Sequence, residues 1–112
     1  MEKTLEPESS KSNGKIIKIT TLFCWKWGFN GVIRRFNILI NNLVEKGYKV
    51  SYKIDTLFPG QGQYFIYVND KKNKKRIVFS NDENKHKNAI IGYEINKDNV
   101  EDVINKIEEV IK

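Results

Sequence analysis

The sequence predicts a small α/β domain in two layers, a four-stranded mixed sheet carrying two main helices in the order β-α-β-β-β-α. Three observations carry that expectation. A strand rich in Ile and Thr precedes the longest stretch of helical periodicity, and a strictly alternating strand follows it. Two short apolar runs flank a charged turn, the pattern of a hairpin. The final residues carry one apolar helical stripe. At 112 residues the chain has room for a single core, so residues 15–112 are expected as one domain.

Each element has its own local reason. Residues 1–14 are polar and carry Pro7, which predicts a solvated, disordered tail. Lys15 to Phe23 reads as an interior strand, apolar on both faces. Asn30 suits an N-cap, and Val32, Ile33, Phe36, Leu39, Ile40, Leu43 and Val44 then recur at helical spacing. Gly47 suits the left-handed position just past the helix end. Tyr48, Val50, Tyr52 and Ile54 alternate with Lys49, Ser51, Lys53 and Asp55, a half-buried strand near a sheet edge. Pro59-Gly60 marks a loop. Tyr64 to Val68 is a continuous apolar strand, residues 69–75 form a charged connection, and Arg76 to Phe79 returns. Residues 80–97 look irregular apart from Ala89 to Tyr93. Asp98-x-x-Glu101 resembles a capping box ahead of Val103, Ile104, Ile107, Val110 and Ile111.

A helical crossover joins the first two strands, so they should be parallel; the hairpin pair should be antiparallel. With the third strand on the far side of the first, the strand order becomes 2-1-3-4. The segment following the first strand then lies at a topological switch point, where open α/β sheets place their sites.

Composition excludes several chemistries. One cysteine, Cys24, rules out an intrachain disulfide, and one histidine, His86, rules out a zinc site built from Cys and His alone. No metal site is expected. Residues 1–14 lack an apolar core of the export type, and no run approaches a membrane span, so a reducing, cytoplasmic setting is expected. The net charge of +6 is concentrated between residues 15 and 95, although Lys, Asn and Ile all have A/T-rich codons and share in it. Lys71, Lys72, Lys74, Lys75 and Arg76 form the densest basic run. It reads as a solvated hairpin tip, with nucleic-acid binding the less favoured alternative, because no RNP-type or helix-turn-helix pattern accompanies it. His86 reads as a surface loop residue.

The residue with most chemical promise is Cys24, set just before a helix N-terminus where backbone N–H groups favour a thiolate. Lys26, Arg34 and Arg35 could add positive potential. The competing reading is that cysteine is simply a small, buried hydrophobe. Trp25, Trp27 and Phe29 put three aromatics in five residues, the material of a contact surface around Cys24, with Gly28 between them.

The string Phe23-Cys24-Trp25-Lys26-Trp27-Gly28-Phe29 resembles the Tyr-Cys-x-x-Sec-Gly-Tyr segment of the selenoprotein W family, a thioredoxin-like group in which it joins the first strand to the first helix. Gly62-Gln63-Tyr64-Phe65-Ile66-Tyr67-Val68-Asn69 resembles that family's Gly-x-Phe-Glu-Val strand. Ile77-Val78-Phe79-Ser80 resembles the strand ending in His-Ser, and Gly92-Tyr93 the Gly-Tyr pair before the last helix. The resemblance covers residues 15–112 and implies a thioredoxin-like fold and thiol redox chemistry at Cys24. It departs from the family at Trp27, where selenocysteine or a second cysteine stands. Resolving a mixed disulfide then requires an outside thiol, for which glutathione would serve. The resemblance thus implies client protein thiols or glutathione as partners, with no bound cofactor. The alternative is a redox-inactive binding module using the aromatic loop. Selenocysteine is encoded by UGA, which some genetic codes read as Trp, so the codon for Trp27 bears on its origin.

Overall fold

The structure, a computed structural model, describes residues 2–5, 16–24, 29–57 and 62–112. Its elements run β1 (Glu2–Leu5), β2 (Ile16–Cys24), α1 (Phe29–Glu45), β3 (Lys49–Leu57), β4 (Tyr64–Asn69), β5 (Lys75–Ser80), β6 (Ile90–Ile91) and α2 (Val100–Ile111). The strands form one six-stranded sheet in the order β1-β3-β2-β4-β5-β6. β2 and β3 are parallel, while β4 runs antiparallel to both β2 and β5. The inner four strands therefore reproduce the expected 2-1-3-4 order. With two helices over a mixed sheet, the expected α/β two-layer architecture holds.

Two strands extend the sheet beyond that expectation. Residues 2–5 were expected within a disordered tail, yet they pair antiparallel with β3 from Glu2↔Lys53 to Leu5↔Val50. β3 consequently lies one strand in from the edge rather than at it. At the opposite side β6 pairs in parallel with β5 through Phe79↔Ile90 and Ser80↔Ile91.

Alternation along β2 sets the layers apart. Ile17, Ile19, Thr21 and Phe23 are buried, while Ile16, Lys18, Thr20 and Leu22 on the other face retain exposure. Opposite the buried set, Phe36, Leu39, Ile40 and Leu43 of α1 and Val103, Ile104 and Ile107 of α2 are fully enclosed and share one core with Ile66, Val68 and Phe79. Edge-on ring contacts link Phe36 to Tyr52 at 5.9 Å and Tyr64 to Phe79 at 5.8 Å. Val78 is an extra residue between the registers Ile66↔Phe79 and Tyr67↔Ile77, and this bulge lets Val78 and Phe79 both be buried.

The helix ends follow backbone chemistry. Gly47 takes φ 98°, its N–H donates to Val44 O at 2.9 Å, and Tyr48 N–H donates to Leu43 O at 3.2 Å. This is a Schellman stop, which needs the left-handed residue that glycine supplies without steric penalty. At the other end of α1, Asn30 lies inside the first turn, two positions past its expected capping role. The expected Asp98/Glu101 capping box does not form either. Asn99 is the N-cap, and Asn96 and Asn99 brace each other: Asn96 Oδ1 accepts from the N–H of Asp98 and Asn99, and Asn99 Oδ1 accepts from Asn96 N–H. None of the described helices is long and apolar enough to cross a membrane.

Candidate functional site

Cys24 is the last residue of β2, flanked by β3 on one side and β4 on the other. Its register partner in β3 is Leu57, and its N–H donates to Gln63 O at 2.7 Å, just ahead of β4. Both neighbours thus fix the backbone at this position. β3 is reached through α1, whereas β4 is joined antiparallel on the far side, so Cys24 sits where the strand order reverses. The placement at the strand-to-helix junction agrees with the sequence.

The burial of the sulfur matches the competing reading, a small enclosed hydrophobe, and not an accessible thiol. Cys24 is a free thiol with 0% exposure. A thiol enclosed to that degree meets neither a reagent nor a client until its cover moves, whatever its ionisation. Of the other proposed contact residues, Trp25, Lys26, Trp27 and Gly28 lie outside the described residues, and Phe29 is described only as the first residue of α1.

The two arginines expected to raise the local potential do not converge on the thiol as free charges. Arg34 is solvent-exposed. Arg35 Nε lies 2.7 Å from Glu94 Oε2, so a carboxylate from the segment before α2 offsets its charge. That pair has a different neighbour, Tyr64, at the β4 end adjoining Phe23. Burial pushes the Tyr64 hydroxyl upward in pKa, while the Thr21 hydroxyl beside it and the Arg35 charge pull it down. Thr21, fully buried in the central strand, and the Arg35–Glu94 pair were not legible in the sequence. Nothing local marks them, because they meet only once α1, β2 and the 92–99 segment are packed.

The remaining candidates resolve simply. His86 is half-buried, its Nδ1 2.7 Å from Ser80 Oγ and its ring 5.2 Å from that of Phe65, so it packs against the sheet instead of standing free in a loop. Residues 71–76 are exposed, and Asp70 organises the turn. Its Oδ1 accepts from Lys72 and Lys74 N–H, and its Oδ2 accepts from Arg76 Nε, each at 2.9 Å. Among the described residues no group of three or more His, Cys, Asp or Glu side chains is arranged to hold a metal. No family model, no curated protein and no solved structure matches the chain.

Proposed function

We propose that the chain is a thioredoxin-like, selenoprotein W-like thiol redox protein working in a one-cysteine form through Cys24. The observation that carries this reading is the position of Cys24 at the C-terminal end of the central strand, at the strand-order reversal and ahead of α1. The Cys24 thiolate attacks the sulfur of a client–glutathione mixed disulfide, forming Cys24–S–SG and releasing the client thiolate. A second glutathione thiolate attacks the Cys24 sulfur adduct, regenerating Cys24 and releasing oxidised glutathione. Attack falls on the glutathione sulfur in both steps, so one free glutathione is consumed, the client–glutathione disulfide is exchanged for oxidised glutathione, and no second sulfur in the chain is needed.

Because Cys24 is enclosed, the first attack requires local opening. An opening costing about 1–3 kcal/mol leaves a thiol roughly 5- to 150-fold slower than an open one. A thiol released only by global unfolding is slowed by a factor of roughly a thousand or more. Measuring thiol-reagent kinetics on the native chain separates these cases. The redox reading expects the smaller slowing and glutathione-linked turnover that Cys24→Ser abolishes. Reaction only at the unfolding rate, or turnover surviving in Cys24→Ser, ends it.

The complete burial of Cys24 favours a second reading, a redox-inactive binding module in which the thiol is packing. Under that reading Trp25→Ala combined with Trp27→Ala weakens partner capture while Cys24→Ser leaves it intact.

A further inference from the structure

β5 is covered by a strand along only part of its outer side. β6 pairs with Phe79 and Ser80, and among the described residues no strand pairs with Lys75, Arg76 or Ile77 on that side. The chain leading into β6 stands away from this stretch. Between them lies a cleft of about 770 Å³, walled by β5 on one side, by residues 85–89 on another and by the last turns of α2. That volume falls in the range of roughly 300–1,000 Å³ typical of ligand sites. Its β5 wall, Lys75 to Ile77, is an unpaired strand edge, whose N–H and C=O groups invite a further strand.

The charge of the cleft selects what such a strand can be. Lys75, Arg76, Lys85, Lys87 and Lys106 line it, against the carboxylates of Asp70 and Glu109. Both carboxylates are already engaged: Asp70 lies 2.9 Å from Arg76 Nε, and Glu109 lies 3.9 Å from Lys106 Nζ. Lys75, Lys85 and Lys87 have no acidic partner among the described residues, and all three are exposed. Lys75 Nζ instead lies over the ring of Tyr67 in the inner neighbour β4, 5.0 Å from its centroid, which leaves Lys85 and Lys87, among the described residues, as the free cations of the cleft. Lysines along an edge oppose pairing with a second, equally basic edge. The same lysines favour an acidic strand, so one feature rejects self-association and selects a partner by sign.

We propose that this cleft is a docking site for an extended acidic peptide segment, which adds to the free half of β5 as a strand and sets its carboxylates against Lys85 and Lys87. Main-chain hydrogen bonds to β5 supply the pairing and the lysines supply the discrimination. Some four residues of strand, about 13 Å, cover the free stretch. The site is independent of Cys24 and of the redox reading.

The test uses the full chain and a short fluorescein-labelled peptide alternating glutamate with valine. Binding is followed by fluorescence anisotropy, and the backbone amides of Lys75 to Ile77 by hydrogen exchange. The expected result is saturable binding, slowed exchange at those amides, and at least a tenfold loss of affinity in the exposed-residue variant Lys85→Glu/Lys87→Glu. The same peptide N-methylated on alternate amides should also lose at least tenfold, since it cannot complete the ladder. The proposal is overturned if no binding is found or if the N-methylated peptide binds equally well. It is also overturned if an oligothymidylate of equal charge binds more tightly than the peptide without protecting the β5 amides.

Discussion

Tyr48 offers a direct check on how the helix layer is fastened to the sheet. Its hydroxyl donates to Glu108 Oε2 at 2.7 Å, joining the residue before β3 to the final turns of α2 across 60 positions of sequence. The hydrogen bond to Glu108, with burial and the carboxylate charge adding to it, pushes the Tyr48 pKa from 10.0 up to about 12. At about 1.36 kcal/mol per unit, such a rise corresponds to a ceiling near 2.7 kcal/mol. Both groups keep part of their surface in water, so solvent screening reduces the expected contribution to about 0.5–1.5 kcal/mol. The sign follows from the direction of the shift. A raised folded-state pKa stabilises fully below the unfolded value of 10.0, and the contribution disappears as pH climbs through about 12. Urea unfolding of the parent chain and Tyr48→Phe should therefore differ by a constant amount below pH 10 and converge above it. Phenolate absorbance should show Tyr48 and Tyr64 titrating late, with Tyr48→Phe removing one late group. Equal stabilities below pH 10, together with an unchanged number of late phenols in Tyr48→Phe, would refute the reasoning.

Two further outcomes follow from individual contacts. The Lys74 N–H and the Arg76 guanidinium hold the Asp70 carboxyl below its usual range, so its contribution is present above pH 3.8 and fades as pH falls through the depressed value. Asp70→Asn should lower the unfolding midpoint near neutrality, flatten its acid limb and speed amide exchange at Lys72 and Lys74. A Cβ at Gly92 would lie 3.3 Å from Phe79 Cε2 and Cζ, and the Phe79 ring is fully buried against Tyr64 and has little room to yield. Gly92→Ala should then destabilise by about 1–3 kcal/mol in urea denaturation, whereas no change would mean the ring moves freely.

The parts of the fold legible in the sequence are those whose signal is local and repeated. The helical spacing from Val32 to Val44, the stop at Gly47 and the alternation from Tyr48 to Asp55 each depend on residues close in the chain, and each appears within a residue or two of its expected bounds. β1 escaped because Glu-Lys-Thr-Leu carries no strand-like pattern; the paired edge of β3 makes it a strand. β6 escaped for a related reason, since two isoleucines have no periodicity to read. At the start of α2 the capping box was displaced by Asn96 and Asn99, with Asn96 Oδ1 accepting from the N–H of Asp98 and Asn99 and Asn99 Oδ1 accepting from the N–H of Asn96. For the candidate site, the sequence located Cys24 at the carboxyl end of the central strand and left a reactive thiol and a buried hydrophobe both open, because spacing in the chain does not fix the exposure of a strand terminus. The Arg35–Glu94 pairing is of the same kind, brought about by packing of segments far apart in the chain.

β2 lies innermost in the sheet but comes before both strands that flank it, β3 and β4. As the polypeptide emerges during translation, its most strand-prone segment, Ile16 to Cys24, is thus made before either neighbour exists to shield it. Non-local pairing of this sort delays productive folding and leaves apolar chain open to chaperones or to aggregation. Expression at lowered temperature, with a holdase supplied in excess, should raise the soluble yield more for this topology than for a meander of equal size.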